Sequence, residues 1–597
     1  MGESMSEDTT RVENAMQDDS RETEREESRQ PQAPSQEGNT EGQDAASSVQ
    51  GEARDSFERP RKWEPNRPQR KVTSKKAFDR KKVQHLADSE DRIYKGELDE
   101  HRRDPKRQPR SVSRSEARVR KKAAELGEND PIVNAMKERK ITDFRNMFEP
   151  CKASPGRLGA LYATRQVRKR DAFAQEVIES TIDRSKLSQV DRAFATLLTL
   201  GVVSTSGALD EVINRCLADP HDIKPDVRDA LRISTYEVIY LRKSPHAAVD
   251  QGVELVRAVA PSASGLGNAV LHRVLSCADT FPFGDPSKNL DALALLYAFP
   301  TWLAKLLIED MGAQAAIELM RASNDQAPLY VHVNAIKATD EEVVQLFEQV
   351  GATLEPVGAG GVKPAGCYQV SNARALADGR IRRLFQQGKL LVSDAAAQVV
   401  ASFVSDCAQG EVLEIGAGRG TKTIMIQSDS YRDNGAQVKL TSLDSHSFKS
   451  DLLKERVDTY GVKLQGIVTG NATRLDAVLP DKEYDTVFID APCSGLGTLR
   501  RHHEIRWRIT PERINELAHV GLDMLKSSAG HVKPGGNLIY ATCTVSYAEN
   551  NGVVKQFLES EEGSSFKLVP LNGKSCFVTE LQKDLPDAHF AVKFVRN

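Results

Sequence analysis

The chain has 597 residues, about four times the ~150-residue span of an average domain, so several domains or a long tail are required. Hydrophobic residues make up 39%, below the roughly 45–50% typical of globular chains, so some segment dilutes an ordinary core. No run reaches about 18 uninterrupted apolar residues and the first residues lack a basic-then-apolar signal, which argues against a membrane span and against secretion.

The net charge of −3 conceals a polarised leader. Residues 1–50 carry 4 Lys/Arg against 13 Asp/Glu, and residues 51–150 carry 28 against 19, so the two halves cancel. Neither half has sustained apolar periodicity, and 1–150 reads as a disordered charged leader that cannot bury enough surface to offset its ordering entropy. Its basic stretches, Lys71 to Lys82 and Arg102 to Lys122, suit RNA phosphates or simply solvate the tail, and Ser115 to Leu126 could form a transient helix. Met1-Gly2 with Ser6 fits a myristoylation pattern formally, but the flank is acidic and the match reads as incidental.

From Pro155 the texture becomes amphipathic and helical, with apolar faces such as Leu161, Val167, Val177 and Ile178, then Leu198 and Val202, then Leu231 and Val238. An all-α domain over 151–285 is predicted. The strings Asp191-Arg192-Ala193-Phe194, Gly201, Leu209-Asp210, Arg228 through Arg232, Pro245-His246-Ala247-Ala248-Val249 and Gly267-Asn268-Ala269-Val270-Leu271 follow in order. In that order they resemble the NusB-like RNA-binding domain, with His272 intervening before Arg273 and Ser204 standing where a basic residue is common. His246, at a Pro-led helix start, is read as structural. Over 286–385, the β-rich Leu329 to Val333, the helical Glu341 to Val350 and the strand Cys367 to Val370 predict a small α+β subdomain for RNA binding.

Residues 386–597 alternate strands and helices as an α/β parallel-sheet domain does. Val412 to Ile415 reads as a buried strand, and Gly416-Ala417-Gly418-Arg419-Gly420 as a tight loop leading into a helix from Thr421. Dinucleotide-binding proteins use a similar loop. Three features favour S-adenosylmethionine (SAM) instead: Glu414 in the pattern E-x-G-x-G-x-G, placed to help position the methionine ammonium; Thr421 in place of a further glycine; and Asp444, closing the strand Val438 to Leu443, where a carboxylate accepts both ribose hydroxyls.

Strand Thr486 to Ile489 delivers Asp490-Ala491-Pro492-Cys493-Ser494-Gly495, and strand Asn537 to Tyr540 delivers Ala541-Thr542-Cys543-Thr544. In an open α/β sheet ligands bind beyond the carboxyl ends of strands, so Asp490, Cys493 and Cys543 are expected to converge near the glycine loop. A thiolate adding to C6 of cytosine makes C5 nucleophilic toward a sulfonium methyl, and Asp490 is placed to stabilise the charge near N3. A second cysteine can assist release of the product. The eight cysteines form no C-x-x-C pair, which argues against a disulfide scaffold and structural zinc, and points to a reducing, cytoplasmic setting.

From about residue 155 onward the sequence resembles the RsmB (Sun) type of ribosomal RNA cytosine-C5 methyltransferase, a NusB-like domain fused to a NOL/NOP/Sun-type catalytic domain. Further matching pieces are Val392, Asp394 through Gln398, Gly497, Arg500-Arg501, Trp507, Pro534-Gly535-Gly536, Glu549-Asn550 and His589-Phe590-Ala591. The resemblance implies Cys543 as nucleophile and Cys493 as the thiol aiding release. A Pro-Cys nucleophile, as in DNA cytosine methyltransferases, keeps Cys493 as the alternative. It also implies a cofactor site of Gly416, Ala417, Gly418, Arg419, Gly420, Thr421, Lys422, Asp444, Asn471 and Asp490. Arg419 stands where Pro is usual, Asn471 where an acid contacts adenine, His332 where Arg is common and His503 where Pro is common. The expected protein is a multidomain, class I (Rossmann-like) SAM-dependent methyltransferase of small-subunit (16S) ribosomal RNA, monomeric, without metal or membrane. Competing readings are another structured RNA such as transfer RNA, a non-catalytic RNA-binding or assembly factor, and, more distantly, a Rossmann dehydrogenase using NAD.

Overall fold

The computed structural model describes residues 143–597. The basic stretches and the transient helix expected of the leader lie outside them. Contacts divide the described residues into two compact units, 143–301 with 502–507, and 302–501 with 508–597.

The first unit is helical, with helices Pro155–Arg170, Ala174–Thr181, Gln189–Arg215, Pro225–Ile239, Pro245–Val259 and Ser264–Ala278. Three begin with proline in the first turn, where its missing N–H costs nothing. A fourth is capped by Ser188, whose hydroxyl accepts from the Asp191 N–H. Leu161, Leu198, Leu209, Leu231, Leu255 and Leu271 meet in the core with no exposed surface. Gly201 is required there, since a Cβ would lie 2.1 Å from the Tyr236 ring. Helix Gln189–Arg215 is, by length and composition, apolar enough to cross a bilayer, and half of its most apolar stretch is buried inside this unit. His246 lies exposed in the first turn of its helix.

Three boundaries of this unit differ from the sequence expectation; residues 286–301, assigned to the α+β subdomain, fall in the helical unit with helix Leu290–Tyr297. Residues 143–150, assigned to the leader, include the 3-10 turn Phe144–Met147, and Phe144 packs into the helical core at 3% exposure. One aromatic among charges carries no periodic signal, so its anchoring role is invisible in the pattern. Residues 502–507, assigned to the catalytic domain, belong to the helical unit. There the Trp507 indole N–H donates to the Ser204 carbonyl (2.9 Å), and the Glu504 carboxylate accepts from the Ala174 N–H (2.6 Å).

The second unit holds two sheets. The smaller is antiparallel, built of β1 (Tyr330–Val333), β2 (Leu354–Pro356), β3 (Cys367–Val370) and β4 (Leu390–Val392) in the order β2-β3-β1-β4. Here a fourth boundary moves: β4, placed by sequence in the next domain, completes this sheet through Val331 opposite Val392. His332 on β1 is buried; its Nδ1 meets Gln398 Oε1 (3.1 Å) and its Nε2 meets Ser428 Oγ (3.0 Å). Burial drives its basicity down to about 3, and the ring is neutral.

The larger sheet contains β5 (Glu411–Ile415), β6 (Lys439–Asp444), β7 (Gly466–Thr469), β8 (Tyr484–Asp490), β9 (Val532–Thr542), β10 (Phe566–Val569), β11 (Phe577–Val578) and β12 (Phe590–Arg596). Its order is β10-β12-β9-β8-β5-β6-β7, with β11 paired to β12. β7, β6, β5, β8 and β9 run parallel, while β12 lies antiparallel to both β9 and β10. The parallel strands read as apolar runs because both faces are covered: Val412, Leu413 and Ile415 on β5 are fully buried, as are Val487, Phe488 and Ile489 on β8. Beyond β8, Arg500 and Arg501 both bind the Asp587 carboxylate (2.7 and 2.6 Å), and Arg501 also reaches Asp394 (2.9 Å). These bonds fasten the segment after the Cys493 motif to the C-terminal strands.

Candidate active site

Five parallel strands end on one edge of the sheet, and each delivers part of the site. After β5 the chain turns through Gly416 to Gly420, and Gly416 and Ala417 donate to the Leu443 carbonyl at the end of β6 (2.9 and 3.1 Å). Gly416 is left-handed at φ 83°, and a Cβ there would sit 2.3 Å from the Asp490 carbonyl, so only glycine lets β5 and β8 release their loops side by side. At Gly418 the position of a Cβ is open, with only the Gly416 carbonyl at 3.8 Å. Arg419 is exposed and its carbonyl accepts from Arg456 (2.9 Å), as the Thr421 hydroxyl does (3.2 Å).

Asp444 ends β6. One oxygen accepts from the Gly418 N–H (3.0 Å) and the other from the His446 N–H (2.9 Å), with Lys449 Nζ at 3.5 Å. The carboxylate therefore stands against the glycine loop with its remaining lone pairs available. Asn471 follows β7, exposed, and its Oδ1 accepts from the Thr473 N–H and hydroxyl (3.0 Å each).

Glu414 behaves differently from the sequence expectation of a group facing a ligand's ammonium. It has no exposed surface; Oε2 accepts from the hydroxyls of Thr423 (2.6 Å) and Ser442 (2.9 Å), and Oε1 has no partner. Burial pushes this acid up to about 7 despite the two hydroxyls. The cause is strand alternation, which turns Glu414 into the packing between β6 and helix Thr421–Asn434.

Lys422, in the first turn of that helix, extends to Asp490 at the end of β8, Nζ to Oδ2 2.7 Å. Burial opposes its charge, but Asp490 and then Cys543 outweigh it, so the ammonium is held above the usual lysine range. Cys493 and Cys543, both half-buried, lie with their sulfurs 3.4 Å apart, and the Cys543 N–H points at the Cys493 sulfur (3.3 Å). The parallel pairing of β8 with β9, Asp490 opposite Ala541, brings them together. The sulfur contact, and then the Lys422 cation, hold Cys543 below the ordinary thiol range against burial. The same contact and burial push Cys493 well above it. Of the two sulfurs, Cys543 is thus the more acidic, with Cys493 and the Lys422 ammonium beside it.

The sequence signals the strand ends, the loop and the meeting of Cys493 with Cys543, and Asp490 acts on Cys543. Sequence reasoning missed the Lys422–Asp490 pair, because Lys422 was assigned only to the cofactor loop, and it named Glu549 and Asn550 without a role. Among the described residues no three His, Cys, Asp or Glu side chains gather as a metal-binding group.

A sheet of this strand order, with an antiparallel β12 and a glycine loop after β5, defines a Rossmann-like methyltransferase fold, here joined to a helical NusB domain. Three family profiles match: NusB family over 155–276, the ferredoxin-like domain of RsmF/B-like methyltransferases over 299–363, and 16S rRNA methyltransferase RsmB/F over 404–591. The chain is 31% identical over 429 residues to a putative methyltransferase of Mycobacterium tuberculosis, MT1451, covering 70% of this chain and 89% of that one. It is 28% identical to the probable ribosomal RNA small subunit methyltransferase B of Bacillus subtilis, covering 67% and 87%. The crystal structure of PH0851 shares the fold, with a TM-score of 0.59 at 22% identity over 74% of this chain and 100% of that one. This chain belongs to the RsmB/F family of 16S rRNA methyltransferases.

Proposed function

We propose that the protein transfers the methyl group of SAM to C5 of a cytosine in small-subunit ribosomal RNA, with Cys543 as nucleophile. The observation that carries this reading is the Cys493–Cys543 pair, 3.4 Å apart at the ends of adjacent parallel strands and beside the Lys422–Asp490 ion pair. The cofactor fits the residues present: the open cradle at Gly418 and the Asp444 carboxylate against it suit a nucleoside and its ribose. Gly416, Ala417, Gly418, Arg419, Gly420, Thr421, Lys422, Asp444, Asn471 and Asp490 would hold it. When bound, SAM supplies an electrophilic methyl group on a sulfonium.

The Cys543 thiolate adds to C6 of the base, forming a C–S bond, while the displaced electron pair moves toward N3, where Asp490 supplies a hydrogen bond or proton. Carbon 5, now enamine-like, takes the methyl group. The C5 proton then leaves to a base, its electron pair re-forms the C5–C6 double bond, and the C–S bond breaks to return the thiolate. Cys493, kept as a thiol, aids that release. The helical unit and the small antiparallel sheet serve RNA binding, and the thiolate chemistry suits a cytoplasmic, reducing compartment.

Incubating the protein with SAM and small-subunit ribosomal RNA, then bisulfite sequencing the product, tests the reading. A single new protected cytosine is expected. Protection only on transfer RNA would move the substrate to another structured RNA, and no methyl transfer to any RNA would leave a non-catalytic binding factor.

A further inference from the structure

Two thiols in contact need something to keep them different, and Glu549 stands where both can be reached. It lies in the turn after β9, 1% exposed. Its carboxylate accepts from the Ser494 N–H (2.6 Å), the Ser494 hydroxyl (2.5 Å) and the Thr544 hydroxyl (3.2 Å). Ser494 directly follows Cys493 and Thr544 directly follows Cys543, and their hydroxyls meet at 2.7 Å. One carboxylate therefore joins the two strand ends that carry the sulfurs. Its own backbone is pinned by the Tyr540 hydroxyl, which donates to the Glu549 carbonyl (2.8 Å). The next residue completes the clamp: Asn550 Oδ1 accepts from Thr542 (2.6 Å) and Nδ2 donates to the Thr544 carbonyl (2.9 Å), bracketing Cys543 on both sides.

A neutral amide could accept the Ser494 N–H and donate to the Ser494 hydroxyl without the cost of burying a charge. Burial pushes the Glu549 acid above the usual carboxylate range, and the donors from Ser494 and Thr544 oppose that shift in favour of the charged form. Its charge acts on both sulfurs, and at Cys543 the Lys422 cation offsets it.

Resting on the reading of Cys543 as nucleophile, we infer that Glu549 is the positioning residue that divides labour between the thiols. Its bonds to Ser494 and Thr544 fix the sulfur contact, and its negative charge keeps the proton on Cys493, leaving Cys543 as the thiolate.

The test is iodoacetamide labelling of the full-length protein across a pH series, with site occupancy read by peptide mass spectrometry and folding by thermal unfolding. Neither RNA nor SAM is needed. In the parent protein at neutral pH, Cys543 is expected to react at least about tenfold faster than Cys493, the ratio of a one-unit difference in acidity. In Glu549→Gln the Cys493 profile moves to lower pH and the ratio narrows about tenfold or more, while a role limited to hydrogen bonding leaves both profiles in place. Parent protein that labels Cys493 first overturns the nucleophile assignment itself. Parent protein that labels Cys543 first, with a folded Glu549→Gln whose ratio is unchanged, overturns only the inference about Glu549. Should Glu549→Gln fail to fold, Ser494→Ala retains the charge and is expected to keep Cys543 the faster thiol; reversal there overturns the inference.

Discussion

The molecule contains two pairs of neighbouring thiols, and they differ in acidity rather than in distance. Cys216 and Cys277 in the helical unit lie 3.6 Å apart, and Cys493 and Cys543 in the catalytic unit lie 3.4 Å apart. In the first pair, burial among core side chains pushes Cys216 up to about 12, with Arg273 as the cation acting on it. In the second, the Cys493 contact and then Lys422, which reaches Asp490 from the first turn of its helix, hold Cys543 below the ordinary thiol range. Sulfur contact and a nearby cation are common to both pairs; what differs is that burial prevails at Cys216 and is outweighed at Cys543. Buried acids show a second contrast, between those paired with arginine, which include Asp587 of the catalytic unit, and Glu414. In the helical unit Glu237 pairs with Arg157 (2.7 Å), and Asp229 with Arg168 (2.7 Å) and Arg232 (3.1 Å), whereas Glu414 in the catalytic unit has hydroxyls on one oxygen and nothing on the other.

The largest effect should come from the catalytic pair. Cys543→Ala is expected to lower methyl transfer by about three orders of magnitude or more while SAM binding survives, because the thiol attacks the base and does not hold the cofactor. Turnover on ribosomal RNA beside calorimetric SAM binding checks both halves, and equal activity of mutant and parent would remove the distinction between the pairs.

The contrast in buried acids predicts a pH effect. Glu414 binds its proton more tightly folded than unfolded, so stability present below about 4.5 is lost as pH rises through about 7. The loss is on the order of 3 kcal/mol, and Glu414→Gln should abolish that slope. Urea unfolding at pH 5 and pH 8 measures it; an unchanged slope in the variant would mean that other groups carry the dependence.

Asp444→Ala is expected to weaken SAM binding by about 1–3 kcal/mol, as ribose hydroxyls lose an acceptor. Unchanged affinity by calorimetry would put the ribose elsewhere. Smallest of all, Cys216→Ser is expected to leave turnover within about twofold of the parent, since it removes a core thiol remote in chemistry from the reaction. A large loss of turnover in a folded Cys216→Ser would show that the helical pair does more than pack.

What was legible in the sequence was local and periodic. The apolar run ending in Asp490-Ala491-Pro492-Cys493 and the run ending in Thr542-Cys543 each announce a strand and its tip, and Gly416 to Gly420 announces a turn whose three glycines take left-handed backbone. Pairwise facts between distant residues were not legible. Nothing in Lys422 marks its bond to Asp490, 68 residues on, and nothing in Glu549 marks the 55 residues spanned by its bond to Ser494. The boundaries failed for a related reason. β4 and Trp507 are short stretches whose partners lie far along the chain, so no window of sequence contains both halves of the contact, whereas Phe144 packs on the next helix against Tyr162 as a lone aromatic without periodic pattern.

The central claim, that Cys543 is the attacking thiol and Cys493 the releasing one, meets its most direct test in the covalent adduct. Cys493→Ala and Cys543→Ala proteins are incubated with SAM and ribosomal RNA and run under denaturing conditions. A band shift that survives SDS is expected to accumulate in Cys493→Ala, where addition proceeds and release stalls, and to be absent from Cys543→Ala. Accumulation in Cys543→Ala, with none in Cys493→Ala, would contradict the assignment and exchange the two roles.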